Sequence, residues 1–293
     1  MEVVDLIIKA KYVITMDKPL VIEDGAVAIK DGLIMAVGKA SDVLSRYRGE
    51  QIIERGRHVL MPGLVDAHTH TQQIFLRTFI NDEALALPPI WTRLLIPFEE
   101  TLTDGLAYLS SALSLMAMAR NGVTTFIEAG APKPLELVKA VNEVGIRGII
   151  TASTFDVHED ETLDIKEVLR RTEGLLPYMN DKVKVWCSVR QIMMASRDLL
   201  LEIRDFCREH GLGITYHMGE YQGEVDYSLT KYGKRPLEVF HELGLTSIKP
   251  TVIAHGIYLS GKERLIIKGD GVGNCLVPYR GFSNHGTPLA THV

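Results

Sequence analysis

From residue 59 onward the sequence alternates strand-like and helix-like runs, and no other feature limits its fold as strongly. Apolar, β-branched runs at 123–129, 146–153, 183–189, 212–217, 251–255 and 272–277 are separated by runs with helical spacing at 103–121, 134–144, 163–178, 196–209, 236–243 and 262–268. Several helical runs end at a glycine (Gly122, Gly145, Gly211, Gly244), the residue that adopts a left-handed C-terminal conformation with least cost. Such alternation predicts parallel strands joined by crossover helices. With 59–65 as the first, seven strands are expected. A doubly wound sheet would show a Gly-X-Gly-X-X-Gly after an early strand, and none follows here. The economical architecture is therefore α/β: a (β/α)8 TIM barrel, incomplete at about seven βα units.

The first 58 residues follow a different rhythm and read as β structure. Residues 5–17 are rich in Ile and Val, and Asp31-Gly32 separates two apolar runs, a strong hairpin signal. This block is too small to bury much surface alone, so the expected division is 1–58 and 59–293.

Composition narrows the functional classes. A net charge of −5 over 293 residues gives no electrostatic case for nucleic acid or an anionic membrane. No apolar run approaches a membrane span, and the N-terminus lacks the basic region and cleavage site of a secretory signal. Cys187, Cys207 and Cys275 are far apart and odd in number, which suggests a reducing compartment and a cytoplasmic protein. Homo-oligomerisation is compatible with the sequence and not specified by it.

Of the ten histidines, four fall at or near the C-terminal ends of expected strands, the rim where barrel enzymes gather their catalytic side chains. They are His68 and His70 in Pro62-Gly63-Leu64-Val65-Asp66-Ala67-His68-Thr69-His70, His217 after Ile214-Thr215-Tyr216, and His255 after Thr251-Val252-Ile253-Ala254. Residues two apart on a strand share a face, so His68 and His70 can converge on one ion while Thr69 points away. Any one of these alone reads equally well as a buried structural histidine; four at one rim favour a metal site. Glu220, three residues past His217, is placed to swing back over that site and shuttle a proton.

Together, the run at 62–70, Gly122-Val123-Thr124-Thr125, His217-Met218-Gly219-Glu220 and Ala254-His255-Gly256-Ile257-Tyr258-Leu259-Ser260 resemble the amidohydrolase superfamily, in its deaminase and chlorohydrolase branch. The resemblance covers nearly the whole chain. It implies a (β/α)8 barrel with a small β-sandwich, the N-terminal part of which would be residues 1–58. It implies one divalent metal ion, usually zinc, with iron as the other candidate. By position, His68, His70 and His217 would be metal ligands, His255 would orient the metal-bound water, and Glu220 would protonate a ring nitrogen and help expel ammonia. The implied reaction is hydrolytic deamination of an amino-substituted heterocycle, with metal-bound hydroxide attacking the amino-bearing carbon.

Within the branch, the motifs are most similar to guanine-deaminase-like enzymes. Gln73 and Arg190 fall where that family binds its purine, and Trp91, with Pro97 and Glu99 after it, fits the lid segment following the first barrel strand. Each also reads as an ordinary rim or packing residue. Adenosine-type members carry Pro-His-Ser after strand four, where this chain has Arg190-Gln191-Ile192, and a ribose-binding glutamate near the lid tryptophan, where it has Leu87-Pro88-Pro89-Ile90-Trp91. These departures favour a guanine-like base, a pterin or a triazine over a nucleoside.

The family also places an aspartate ligand in a Gly-Thr-Asp or Gly-Ser-Asp on strand eight, and the residues up to Val293 contain no such motif. Asp270 precedes the seventh strand and cannot replace it. The expectation is a chain lacking strand eight, with outer strand edges left unpaired and weak or no activity. Cyclic-amide hydrolysis or dechlorination on the same scaffold is the first alternative. A degenerate barrel that binds only metal or a partner chain is the second.

Overall fold

The structure, a computed structural model, describes residues 1–78, 80, 91–158, 161–275 and 277. The chain divides into two compact units, Met1–Leu64 and Val65–Val293.

The first unit is a four-stranded sheet built from β1 (Glu2–Ile14), β2 (Val21–Lys30), β3 (Leu33–Lys39) and β4 (Tyr47–Leu60), in the order β3-β2-β1-β4. The hairpin expected at Asp31-Gly32 joins β2 to β3, and both turn residues have positive φ. A helix that the sequence does not signal in this block, α1 (Ala40–Arg46), returns the chain so that β4 pairs parallel to β1. Its Val43 packs with Val4, Ile7, Ala26 and Ala28, which is why a short polar helix interrupts the β pattern. Val59 and Leu60 pair with Tyr12 and Val13 and close this sheet. The strand expected over 59–65 is thus two strands, and the first compact unit runs past residue 58 to Leu64.

The second unit carries the βα rhythm. Its parallel strands are β5 (Leu64–Thr69), β6 (Val123–Glu128), β7 (Arg147–Ile150), β8 (Val183–Val185), β9 (Cys187–Val189), β10 (Ile214–Met218), β11 (Thr251–His255) and β12 (Gly273–Cys275). They form two four-stranded sheets, β8-β7-β6-β5 and β9-β10-β11-β12. Every pairing registered within them is parallel. β8 and β9 are one strand position interrupted at Trp186, whose N–H donates to the Ile150 carbonyl. Seven successive strand positions are therefore arranged in chain order. Among the described residues, β5 and β12 are the outer strands, as an incomplete barrel requires.

The crossover helices are α2 (Asp104–Arg120), α3 (Pro134–Val144), α4 (Ile165–Glu173), α5 (Arg197–His210), α6 (Gln222–Tyr232), α7 (Pro236–Glu242) and α8 (Gly261–Asp270). Side-chain caps start α2, α4, α5 and α8 at Thr103, Asp164, Ser196 and Ser260. Left-handed glycines end α3, α5, α6 and α8, as the sequence predicts for Gly145 and Gly211. α6 departs from the sequence expectation, because its run Gln222–Tyr232 buries only Glu224, Val225 and Ser228 and shows little apolar spacing. Two apolar clusters seal the helices onto the strands, one centred on β6, β7 and α3, the other on β9, β10, β11 and α5. Every residue of β10 is buried. Gly213, just before it, accommodates the indole of Trp186, where a Cβ would lie 2.5 Å from Cε2. No single described helix is long and apolar enough to cross a membrane.

Candidate functional site

Strand ends bring the four selected histidines together. His68 is the penultimate residue of β5, His70 follows that strand, His217 lies near the end of β10, and His255 ends β11. Register puts Met218 opposite His255 and His217 opposite Ala254. The ring of His68 lies 5.1 Å from that of His70, 4.9 Å from His217 and 5.1 Å from His255, centroid to centroid. His70 and His217 stack with an interplanar angle of 6°.

The loops after β10 and β11 are shaped by unusual backbone. Gly219 has φ +60°, and His255 itself has φ +75°, a conformation that a residue with a Cβ rarely adopts. Such an outlier persists where the surroundings over-determine it, commonly at a functional centre. Here the amide of Gly256 donates to the Met218 carbonyl, and those of Ile257 and Tyr258 donate to Gly219. The two loops are thereby fastened to each other.

Burial keeps three of these imidazoles, His68, His70 and His217, neutral. It pushes the pKa of His68 down to about 3, assisted by the neighbouring His255, and holds His70 and His217 well below the ordinary value. The Nδ1 atoms of His68, His70 and His217 are buried with no hydrogen-bond partner among the described residues. Nε2 of His70 lies 3.2 Å from Nε2 of His217. Two nitrogens on one tetrahedral zinc, each at about 2.0–2.1 Å, stand roughly 3.3 Å apart. Nitrogens of His68, His217 and His255 also lie within 4.8 Å of one another. Neutral, converging, unsatisfied imidazoles fit a divalent ion. The expected ligands are His68, His70 and His217; the geometry adds His255 to the set that can reach it.

Glu220 stands beside this cluster, 4% exposed, with Oε2 3.9 Å from His255 Nε2. Gln191 donates to the same oxygen at 2.7 Å. The backbone under Glu220 is fixed by a second buried carboxylate: Glu224, in the first turn of α6, accepts from the amides of Gly219 at 3.0 Å and Glu220 at 2.8 Å. A cavity of about 120 Å³ is lined by His68, His70, His217, His255, Glu220, Arg190, Gln191 and Leu95. His68, His70 and His255 also face an open cleft of about 680 Å³ that reaches Gln73.

Arg190 is buried in the wall of the smaller cavity, and its guanidinium pairs with Glu99 at 3.0 Å. Gln73 donates to the same carboxylate oxygen at 2.5 Å. The two polar residues expected at the substrate are thus linked by an acid that follows Trp91, a role that the sequence does not announce for Glu99. Trp91 opens the helical turn Trp91–Leu95, and its side chain lies outside the described residues, as do residues 87–90 entirely. Glu128, at the end of β6, accepts from the amide and hydroxyl of Thr71 and lies 4.0 Å from His70 Nδ1. Burial raises its pKa to about 7. Asp270 is engaged with His241 and Thr246. Glu99, Glu128, Gln191 and Glu224 carry no spacing signal, since each finds its role only through loop contacts.

A model of the amidohydrolase family matches residues 59–285, most of the chain. The chain belongs to the amidohydrolase family. This amidohydrolase is 31% identical over 90% of its length to a 5-methylthioadenosine/S-adenosylhomocysteine deaminase of Caldanaerobacter subterraneus subsp. tengcongensis, covering 60% of that protein. It is 30% identical over 85% of its length to a 5'-deoxyadenosine deaminase of Methanobrevibacter smithii, covering 56% of it. The chain therefore spans about 60% of the length of such curated relatives. Among solved structures, a zinc-bound adenosine deaminase from Xanthomonas campestris superimposes with TM-score 0.86 at 25% identity, covering 96% of this chain and 65% of that one. A guanine deaminase from C. acetobutylicum with bound guanine superimposes with TM-score 0.81 at 21% identity, covering 94% and 69%.

Proposed function

We propose that this amidohydrolase hydrolytically removes the amino group of a nitrogen heterocycle. One observation carries the reading: a buried carboxylate, Glu220, lines one small cavity with four imidazoles, His68, His70, His217 and His255. His68, His70 and His217, with His255 in reach, would hold one divalent ion, zinc first and iron second. When bound, such an ion polarises the reacting centre and lowers the pKa of water. Glu220 takes one proton of the attacking water at Oε2 and passes it to a ring nitrogen, then carries the second water proton to the departing amine. Water thus supplies both protons, and the carbon–nitrogen bond breaks as ammonia leaves. A leaving amine needs that proton and a leaving chloride does not, which favours deamination over dechlorination. Arg190 and Gln73 bind the polar edge of the ring, and Glu99 holds both in place. Leu95 contributes an apolar side chain to the cavity lining.

A guanine-like base, a pterin or a triazine suits two polar side chains, Arg190 in the wall of the small cavity and Gln73 in the adjoining cleft. The nucleoside reading gains from Glu99, a buried carboxylate beside that wall that could accept from ribose hydroxyls, and from the adenosine-type names of the relatives. The test is metal stoichiometry together with ammonia release from guanine, pterins, triazines and adenine nucleosides. His68→Ala is expected to weaken zinc retention at least about tenfold against a chelator. Unchanged zinc retention in that variant would remove the metal assignment. Chloride release or ring opening without ammonia would move the chemistry to the rival reactions.

A further inference from the structure

The two ring nitrogens of His70 have different surroundings. Nε2 lies 3.2 Å from Nε2 of His217, where one ion would bridge the pair. Nδ1 is buried and has no hydrogen-bond partner among the described residues. A neutral imidazole that offers its Nε2 lone pair to a cation carries its proton on Nδ1. Water does not reach that atom, so its proton needs an acceptor from the protein. Glu128 Oε1 stands 4.0 Å away. The carboxylate is buried and held by its other oxygen: Oε2 accepts from the Thr71 amide at 3.0 Å and from the Thr71 hydroxyl at 2.5 Å. Its backbone is pinned as well. The Thr151 hydroxyl donates to the Glu128 carbonyl at 2.9 Å, and the Ala129 amide donates to the Thr69 carbonyl at 2.9 Å. The end of β6 is thereby fastened to the residue just before His70.

We propose that Glu128 is a positioning residue for the metal centre. Its Oε1 accepts the Nδ1–H of His70, which fixes the tautomer and the rotation of the ring so that Nε2 faces the ion. The inference rests on the metal assignment in the reading above and extends it to the residue behind one ligand. A bond of about 2.8 Å requires roughly 1 Å of closure. The torsions that supply it, χ2 of His70 and χ3 of Glu128, have broad minima. Oε1 can accept whether or not the carboxyl group carries a proton, because Thr71 engages Oε2 alone. A ligand imidazole generally donates its outer N–H to a carboxylate, a carbonyl or water, and losing that partner weakens metal binding by about tenfold to a hundredfold.

The test is competition for zinc between a chromophoric chelator and the full chain. Glu128→Met, of similar size and without an oxygen acceptor, is expected to hold zinc about tenfold to a hundredfold more weakly than the parent. Glu128→Gln, whose amide carbonyl can replace Oε1, should lose less than about tenfold. Thr71→Val loosens the loop without touching the Nδ1 contact, and it too should lose less than about tenfold. With 15N-labelled histidine, the zinc-loaded parent should show a slowly exchanging imidazole N–H that Glu128→Met loses and the other two variants keep. If circular dichroism shows Glu128→Met unfolded, Glu128→Asp, which draws the carboxylate back from the ring, takes its place with the same expectation. Zinc affinity in Glu128→Met equal to that of the parent, or a loss as large in Glu128→Gln or Thr71→Val, overturns the role of Glu128 and leaves the metal assignment standing. A parent chain that retains no zinc overturns both.

Discussion

Glu224 is the residue on which the placement of Glu220 depends most directly. Its carboxylate accepts from two consecutive backbone amides, those of Gly219 and Glu220, and it is fully buried. Replacing it with leucine would strand both N–H groups out of water, each at about 1–3 kcal/mol. Glu224→Leu is therefore expected to lower unfolding free energy by about 2–6 kcal/mol. Glu224→Gln, which retains one acceptor, should lose about half of that. Urea denaturation checks both, and a Leu variant as stable as the parent would show that the loop is fixed by other contacts. His217, Glu220 and His255 are legible in the sequence because each sits at or just past an apolar run. Glu224 is not, since a glutamate four residues beyond Glu220 has no period to betray it. The same holds for Glu99, whose partner Arg190 is 91 positions away.

At the scale of elements, one close approach carries much of the strand geometry. Gly213 precedes β10 and lies against the indole of Trp186, the residue that interrupts β8 and β9. Its φ is not in the left-handed region, so alanine is tolerated by the backbone and the whole effect is steric. A Cβ 2.5 Å from Cε2 must displace the ring. Gly213→Ala is expected to cost about 1–3 kcal/mol. Gly105→Ala, where a Cβ would meet nothing within 4 Å, should instead stabilise α2 by up to about 1 kcal/mol. Denaturation midpoints of the two variants give the comparison, and equal shifts would contradict it. Most helices and strands of the second unit are readable from periodicity, but the apolar run at Val59 belongs to the other sheet from the one its position suggests. Its partner is β1, more than forty residues earlier, and a parallel pairing of that range leaves no local signature.

For the molecule as a whole, buried titrating groups pull stability in opposite directions as pH changes. His68 titrates near 3 when folded, against an ordinary 6.5, and His70 and His217 are likewise lowered. Between those values the unfolded chain binds protons that the folded chain refuses, so stability falls as pH drops below about 6.5. Glu128 and Glu224 are raised by burial to about 7 and about 8, against an ordinary 4.5. The folded chain holds their protons longer, so their contribution is full below about 4.5 and is lost as pH rises through 7 to 8. Chelator-treated protein is expected to be most stable near pH 6 to 7, with losses on both sides. Denaturant midpoints from pH 4 to 9 test this, and a midpoint still rising above pH 8 would contradict it. One consequence concerns His255, whose left-handed backbone suits glycine or asparagine better than histidine. Directed evolution for heat resistance alone would find His255→Gly or His255→Asn an easy gain, and in taking it would trade away one ring of the histidine cluster.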